Sequence, residues 1–232
     1  MTARREHPSQ YGAPAVLYGK RLVLRSLTCA DWAQWSEVRA RNHEWLTPWE
    51  PLRPANLLDP TRDREAFVAR CSARDRDRQA GLAHGFGMFV PGEYGEHFAG
   101  EVNLNNITRG AHQNGVIGYW VDQAQAGRRY VAEGVVMVLR HAFEQLHLHR
   151  VEICIVPRNR NSHRVMEVLG IRNEGVALRF LEINGAWEDH VRYAITAEEW
   201  FERCGDFAAT WLEPSPDTSG SGPGNDPGDG AG

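Results

Sequence analysis

Two short stretches place charged and hydroxyl groups where helices begin. In GYWVDQAQAGRRYVAEG, Gly118 to Gly134, an apolar run passes through a short polar link into helix-forming residues. A strand–turn–helix unit of this kind aims the free N–H groups of the first helical turn, and the positive end of the dipole, at whatever lies beyond the strand. That suits a pyrophosphate, and Arg128 and Arg129 add charge there. The same residues also make an ordinary strand-to-helix turn, and the local pattern leaves both readings open. In VPRNRNSHRVMEVLG, Val156 to Gly170, Asn159 and Ser162 fall where a buried strand gives way to a helix. A hydroxyl at that point either caps the helix or gives a proton to a departing thiolate.

A third position is Glu101, in HFAGEVNLNNI, whose side chain shares a strand face with Asn103 and Asn105 by the period of two. It is placed to accept a proton directly or through water, although an exposed strand glutamate fits the pattern equally well. Arg41 to Pro51, RNHEWLTPWEP, combines two tryptophans, two glutamates and two prolines where a helix is broken, and reads as a rigid aromatic connection.

The elements that must position these groups follow from periodicity. Arg21 to Leu27 alternates as a first strand, and Thr28 with Asp31 forms an imperfect capping box for a helix through about Arg39. A second helix runs from about Arg62 to Arg78, heavily charged on one side. Gly85 to Val90 and His97 to Ile107 read as adjacent antiparallel strands, and Asn114 to Asp122 as another. Val135, Leu139, Phe143 and Leu146 recur at helical spacing, the stripe of a helix on a sheet. Arg150 to Val156 is a nearly continuous apolar strand suited to a central position. A helix from about Ser162 to Leu169 and two strands, Gly175 to Ile183 and Ala186 to Ile195, complete the order. Asn184-Gly185 between the last two is the strongest hairpin signal in the chain. The order β-α-α-β-β-β-α-β-α-β-β is mixed α/β without internal repeat.

The 232 residues, 42% of them hydrophobic, are enough to close one sizeable core. The reading is a single domain over 16–212 between two polar segments, 1–15 and 213–232, both expected to be disordered and the second rich in Gly, Pro, Ser and Asp. There is no h-region of a signal peptide and no run of the ~20 apolar residues a membrane helix needs, so a soluble, cytoplasmic protein is expected. Cys29, Cys71, Cys154 and Cys204 are scattered without metal-ligand spacing, which predicts free thiols and no metal. The net charge of -4 gives no global basic field, so any anion site is local and no nucleic-acid binding is expected.

Gly100 to about Thr196 resembles the RimJ/RimL type of GNAT acetyltransferase, through GYWVD, AGRRYVAEG, HLHRVEICIVPRNRNSHRVMEVLGI and INGAWEDHVRYAI. HEWLTPWEP resembles the RimJ-like pattern too. The resemblance implies the GNAT fold: a mixed, mostly antiparallel central sheet flanked by helices, whose strands ending at Asp122 and Val156 splay apart around acetyl-CoA. Tyr119, Trp120 and Val121 would pair their backbone with the pantetheine arm. Gly127, Arg128, Arg129, Tyr130 and Val131 would form the pyrophosphate loop. Asn159 would contact the CoA arm, and Ser162 would protonate the thiolate, because Met166 stands where other GNAT enzymes have a tyrosine. The loop departs from the Q/R-x-x-G-x-G/A pattern at Ala126, Arg129 and Val131. Side chains there either obstruct phosphate or disfavour positive φ, or the loop takes ordinary helical geometry with Arg129 as a charge partner.

The resemblance further implies acetyl transfer to an N-terminal α-amine of a ribosomal or other cytoplasmic protein, by a monomer or homodimer. Such an amine is partly neutral at cellular pH and needs no strong base. Glu44, Trp45, Trp49 and Glu50 suit a cationic peptide end, with the two tryptophans equally readable as core anchors. Glu182 is a further acidic candidate on the late hairpin, although the matching position falls at Leu181, on the opposite face. Asp189 and His190 match a W-x-D-H pattern and brace the hairpin. Two alternatives remain: a small amine acceptor such as an antibiotic, polyamine or amino acid, or a non-catalytic acyl-CoA-binding protein.

Overall fold

The computed structural model describes residues 14–93 and 95–212; residues 1–13 of the expected N-terminal segment and the whole of 213–232 lie outside them. In chain order the elements are β1 (Val16–Tyr18), β2 (Val23–Arg25), α1 (Trp32–Arg41), α2 (His43–Leu46), α3 (Arg64–Gln79), β3 (His84–Gly92), β4 (Gly95–Thr108), β5 (Asn114–Val121), α4 (Tyr130–Arg140), β6 (Arg150–Ile155), α5 (Arg160–Leu169), β7 (Arg172–Ile183), β8 (Ala186–Thr196) and α6 (Ala197–Trp211). They build one eight-stranded sheet in the order β1-β2-β3-β4-β5-β6-β8-β7. Every neighbouring pair is antiparallel except β5 and β6, which run parallel.

The two sheet faces are covered by different helices because β4 alternates in character from Glu101 to Leu104, between register shifts on either side. Val102 and Leu104 point to one face and meet α4, where Gly134 lets the helix close in: a Cβ there would lie 3.0 Å from Val102 Cγ2. Every residue of α4 from Tyr130 to Leu139 is buried, as expected for a helix packed between the sheet and α5 and α6. Trp35, Val38, Phe67, Phe89 and Phe98 form a second apolar cluster on the opposite face, holding α1 and α3 to β3 and β4. Burying each such side chain contributes about 1.5–3 kcal/mol, so this smaller core suffices to fix the wall on which Glu101 stands.

Local chemistry explains the ends. Asp31 Oδ2 accepts the Thr28 N–H at 2.7 Å ahead of α1, as the capping residues imply. Asn184 and Gly185 take φ of 47° and 82°, the conformation that joins β7 to β8 as a tight hairpin. Three elements were not anticipated. β1 is a three-residue edge strand, and only Val23–Arg25 of the expected Arg21–Leu27 strand forms. α2 is a single turn. α6, capped by the reciprocal Thr196–Glu199 box, buries Trp200, Phe207 and Trp211 and returns to the first strands through a bridge from Leu212 to Gly19.

Candidate active site

The parallel pairing of β5 and β6 lasts only three residues, Asn114–Arg150, Gly115–Val151 and Val116–Glu152. Beyond it the strands diverge. Their separation opens a cavity of about 1610 Å³ that runs from the starts of α4 and α5, past Tyr119, Trp120 and Val121, to the face carrying α1 and α3.

At one end lies the turn into α4. Gly127 has φ of 79° and Arg129, the residue before the helix, φ of 63° and ψ of 15°. The substituted loop therefore keeps a left-handed step at Arg129 instead of relaxing into ordinary helical geometry, at a cost of ~1–2 kcal/mol for a residue with a Cβ. The first N–H of α4 to find a partner in the loop is that of Glu133, on Arg129 O at 3.1 Å; those before it are the free donors of a helix start. Glu133 would repel an anion here, but Arg21 meets it through Nε and its backbone N–H at 2.8 and 2.7 Å, and Arg21 Nη1 also binds Arg128 O. Of the expected loop residues, Gly127, Arg129, Tyr130 and Val131 line the cavity and Arg128 does not.

Asp122 fixes this turn to the opposite wall. It is 1% exposed and accepts hydrogen bonds from Asn42 Nδ2 at 2.7 Å, Arg41 Nη2 at 2.5 Å and the Ala124 N–H at 3.2 Å, while Asn42 Oδ1 accepts the Gln123 N–H at 2.8 Å. These contacts hold the carboxyl of Asp122 below its usual range; burial opposes the shift.

The start of α5 faces the same space. Asn159 caps the helix, its Oδ1 accepting the Ser162 N–H at 3.2 Å. Asn159, not Ser162, is thus the capping group, and the Ser162 residue lines the cavity. Tyr119 donates its hydroxyl to Ser162 O at 3.4 Å, and burial pushes that phenol well above its ordinary value, so it stays protonated. Met166 is wholly buried in the main core, so its position offers no acid to the cavity.

On the α1/α3 face, Glu101 is fully buried and saturated. Its oxygens accept hydrogen bonds from Trp35 Nε1 at 2.7 Å and Arg70 Nη2 at 2.7 and 2.8 Å, and one of them forms an ion pair with Arg74 Nη1 at 2.8 Å. Burial alone would raise its pKa, but Arg74 and Arg70 prevail and hold it at about 2. A carboxylate so tightly held is a poor proton acceptor near neutral pH, so the geometry argues against Glu101 as the general base. Arg70, Arg74 and Arg39 were not singled out in the sequence, although the charged side of the 62–78 helix and the i, i+4 spacing of Arg70 and Arg74 carried the signal.

The aromatic connection forms the remaining wall. Trp45 and Trp49 are half-buried, line the cavity and belong to neither core cluster, whereas Leu46 between them is buried. Glu44 is an exposed lining residue. Glu50 is engaged by Arg39 at 2.6 and 2.8 Å, which neutralises it for a cationic guest. The hairpin tip closes on this wall: Asn184 N donates to Glu50 O at 2.8 Å, and Arg158 binds Pro48 O and Glu188 while lying 5.0 Å from the Trp49 ring. Glu182 is exposed and outside the cavity lining. Asp189 accepts the Arg179 N–H and His190 contacts Glu188 O, so both brace the hairpin. All four cysteines are free, and among the described residues no group of side chains has the makings of a metal site. No helix among them is long and apolar enough to cross a membrane.

Comparison with known proteins gives this geometry a context. Residues 21–172 match the family described as "Acetyltransferase (GNAT) domain". The chain is 32% identical to Probable N-acetyltransferase YjcK of Bacillus subtilis over 78% of its length and 96% of that protein's. It is 31% identical to the [Ribosomal protein uS5]-alanine N-acetyltransferase of Escherichia coli, over 78% and 90%. Among solved structures, Mycobacterium smegmatis RimJ in complex with CoA-disulfide superposes with a TM-score of 0.73 at 31% identity, covering 84% of this chain and 92% of that one.

Proposed function

This chain belongs to the GNAT acetyltransferase family and is an acetyl-CoA-dependent N-acetyltransferase; from that premise we propose that its acceptor is the α-amine of a protein N-terminus. The observation that carries the reading is the size and shape of the cavity. Pockets for single small ligands hold roughly 300–1,000 Å³, and the 1610 Å³ here, lined from the starts of α4 and α5 to α1 and α3, leaves room for an extended second reactant beside a CoA arm. The kinship with ribosomal-protein N-acetyltransferases in sequence and in structure points the same way.

In the proposed reaction, the neutral fraction of the α-amine attacks the thioester carbon. The carbonyl oxygen takes up the developing charge beside the β5 backbone, where a fixed N–H stabilises it. The C–S bond breaks, and the thiolate receives a proton through Ser162 Oγ at the start of α5; that hydroxyl is reprotonated from solvent as it gives its own proton up, and the helix dipole also favours the anion. The proton lost by nitrogen passes to solvent. The products are the N-acetylated chain and CoA as a thiol. Gly127, Arg129, Tyr130 and Val131 hold the pyrophosphate and Asn159 the arm.

The test is CoA-thiol release from acetyl-CoA with peptides beginning Ala, Ser, Met or Gly, run beside a set of small amines. Turnover confined to free peptide N-termini is expected. Turnover with small amines alone, or acetyl-CoA binding with no turnover on any acceptor, would overturn the proposal.

A further inference from the structure

One cluster on the acceptor wall of the cavity carries more positive charge than its own acid can answer. Arg39 is satisfied by Glu50 and Arg53 by Asp59, and Arg41 is taken by Asp122 and Glu37. Arg70 and Arg74, however, share the single carboxylate of Glu101. The trio keeps one net positive charge on the cavity wall while its arginine side chains are only 22% and 31% exposed. A charge removed from water without a partner is costly. The strain shows at one atom: Arg70 Nη1 is buried and has no hydrogen-bond partner. Glu101, already fed by Trp35, Arg70 and Arg74, has no oxygen left to answer it.

This cation stands next to the reacting end. Glu101 is the register partner of Trp120, and Asn103, whose Oδ1 accepts Arg74 Nη1 at 3.0 Å, is that of Gly118. The Glu101 and Trp120 backbones lie about one strand spacing, ~4.8 Å, apart, and Arg70 stands over the Glu101 carboxylate, so a group bound by Arg70 is held on the sheet face beside the stretch of β5 that flanks the acyl group. We propose that Arg70, backed by Arg74, is an anion subsite that selects acceptors bearing a carboxylate close to the amine, as an N-terminus with Glu or Asp at its second residue does. The inference rests on the N-terminal reading above and sharpens it. It departs from the expectation that Glu50 receives a cationic end, because Glu50 is already spent on Arg39.

The experiment compares kcat/KM for otherwise identical peptides beginning Ser-Glu, Ser-Gln and Ser-Lys, with free glutamate as a fourth acceptor. Preference for Ser-Glu over Ser-Gln by about tenfold or more, the range of one charge-assisted hydrogen bond, with Ser-Lys lowest, is expected, and Arg70→Gln should abolish the preference. Equal rates on the three peptides in the native enzyme would overturn the subsite whether or not the variant folds. Turnover of glutamate alone keeps the subsite, with an α-carboxylate as its guest, and overturns the peptide reading. If no acceptor turns over, the N-terminal reading fails, and binding of N-acetylglutamate, followed by calorimetry, decides the subsite: saturable binding lost in Arg70→Gln supports it, and no binding refutes it.

Discussion

Replacing Glu101 by Gln separates a structural carboxylate from a catalytic one. In the native protein this carboxyl ionises at about 2 instead of 4.5, a difference worth about 3 kcal/mol at ~1.4 kcal/mol per unit. Gln preserves the volume but leaves Arg70 and Arg74 buried without a counter-ion, and breaking a buried pair in this way costs roughly 3–5 kcal/mol. The two routes agree on about 3 kcal/mol or more, which lowers Tm by roughly 6–12 °C for a chain of this size. Thermal melts followed by circular dichroism at pH 7 read this directly. Because the folded pKa lies below the unfolded one, the stabilisation is whole above about 4.5 and is lost as pH falls toward about 2. Native and variant melts should therefore converge across that window. The variant's pH–rate profile above pH 6 should keep its native shape, since Glu101 does not titrate there. A variant that melts within a degree or two of the native protein at pH 7 would refute the ion-trio argument. A folded variant whose profile loses a limb would restore Glu101 as the base.

Ser162→Ala should lower the rate of acetyl transfer at saturating acetyl-CoA by about 10²-fold, the low end for a general acid; an unchanged rate would reduce Ser162 to the third residue of α5. Arg129→Gly should move two measurements in opposite directions. Stability in urea rises by about 1 kcal/mol as the left-handed step loses its Cβ, while KM for acetyl-CoA rises several-fold with loss of the charge; a fall in stability would show that the Arg129 side chain anchors the loop. His141, whose Nε2 meets His84 Nδ1 at 3.2 Å, is held neutral by burial and by His84, with its pKa at about 3 instead of 6.5. Its folded pKa is depressed, so the native state is favoured in full above about 6.5 and loses ground as pH falls toward 3, by ~2 kcal/mol between pH 7 and pH 5. Identical urea midpoints at pH 7 and pH 5 would contradict this.

The sequence disclosed those features whose causes are local. Asn184-Gly185 dictates its hairpin, the apolar stripe of α4 dictates a buried helix, and Asn159 to Ser162 opens α5 as the residue types imply. α6 was legible but unread: Thr196 and Glu199 form a capping box ahead of Trp200, Phe207 and Trp211. The short β1 carries too few residues to show a period. What no local pattern held is the meeting of distant side chains. Trp35, Arg70 and Arg74 converge on Glu101 across 66, 31 and 27 positions respectively, and Asn42 reaches Asp122 across 80. The backbone of Arg129 escaped for another reason: the surrounding fold overrides what the side chain alone prefers.

The three-residue seam between β5 and β6 also has a mechanical meaning. Strands β1 to β5 form one plate and β6, β8 and β7 another, each held internally by antiparallel ladders and paired to each other within the sheet at Asn114–Val116 and Arg150–Glu152 alone among the described residues. From that pairing to Val121 is a lever of roughly 17 Å at ~3.3 Å per residue, so a rocking of about 5° moves the far lip by ~1.5 Å, on the microsecond-to-millisecond scale of hinge motions. Arg70 and Arg74 ride with the first plate and Ser162 with the second. The angle between the plates therefore sets the distance between the group that grips the acceptor and the group that releases the thiol, and whatever wedges the mouth open to the right width tunes both at once.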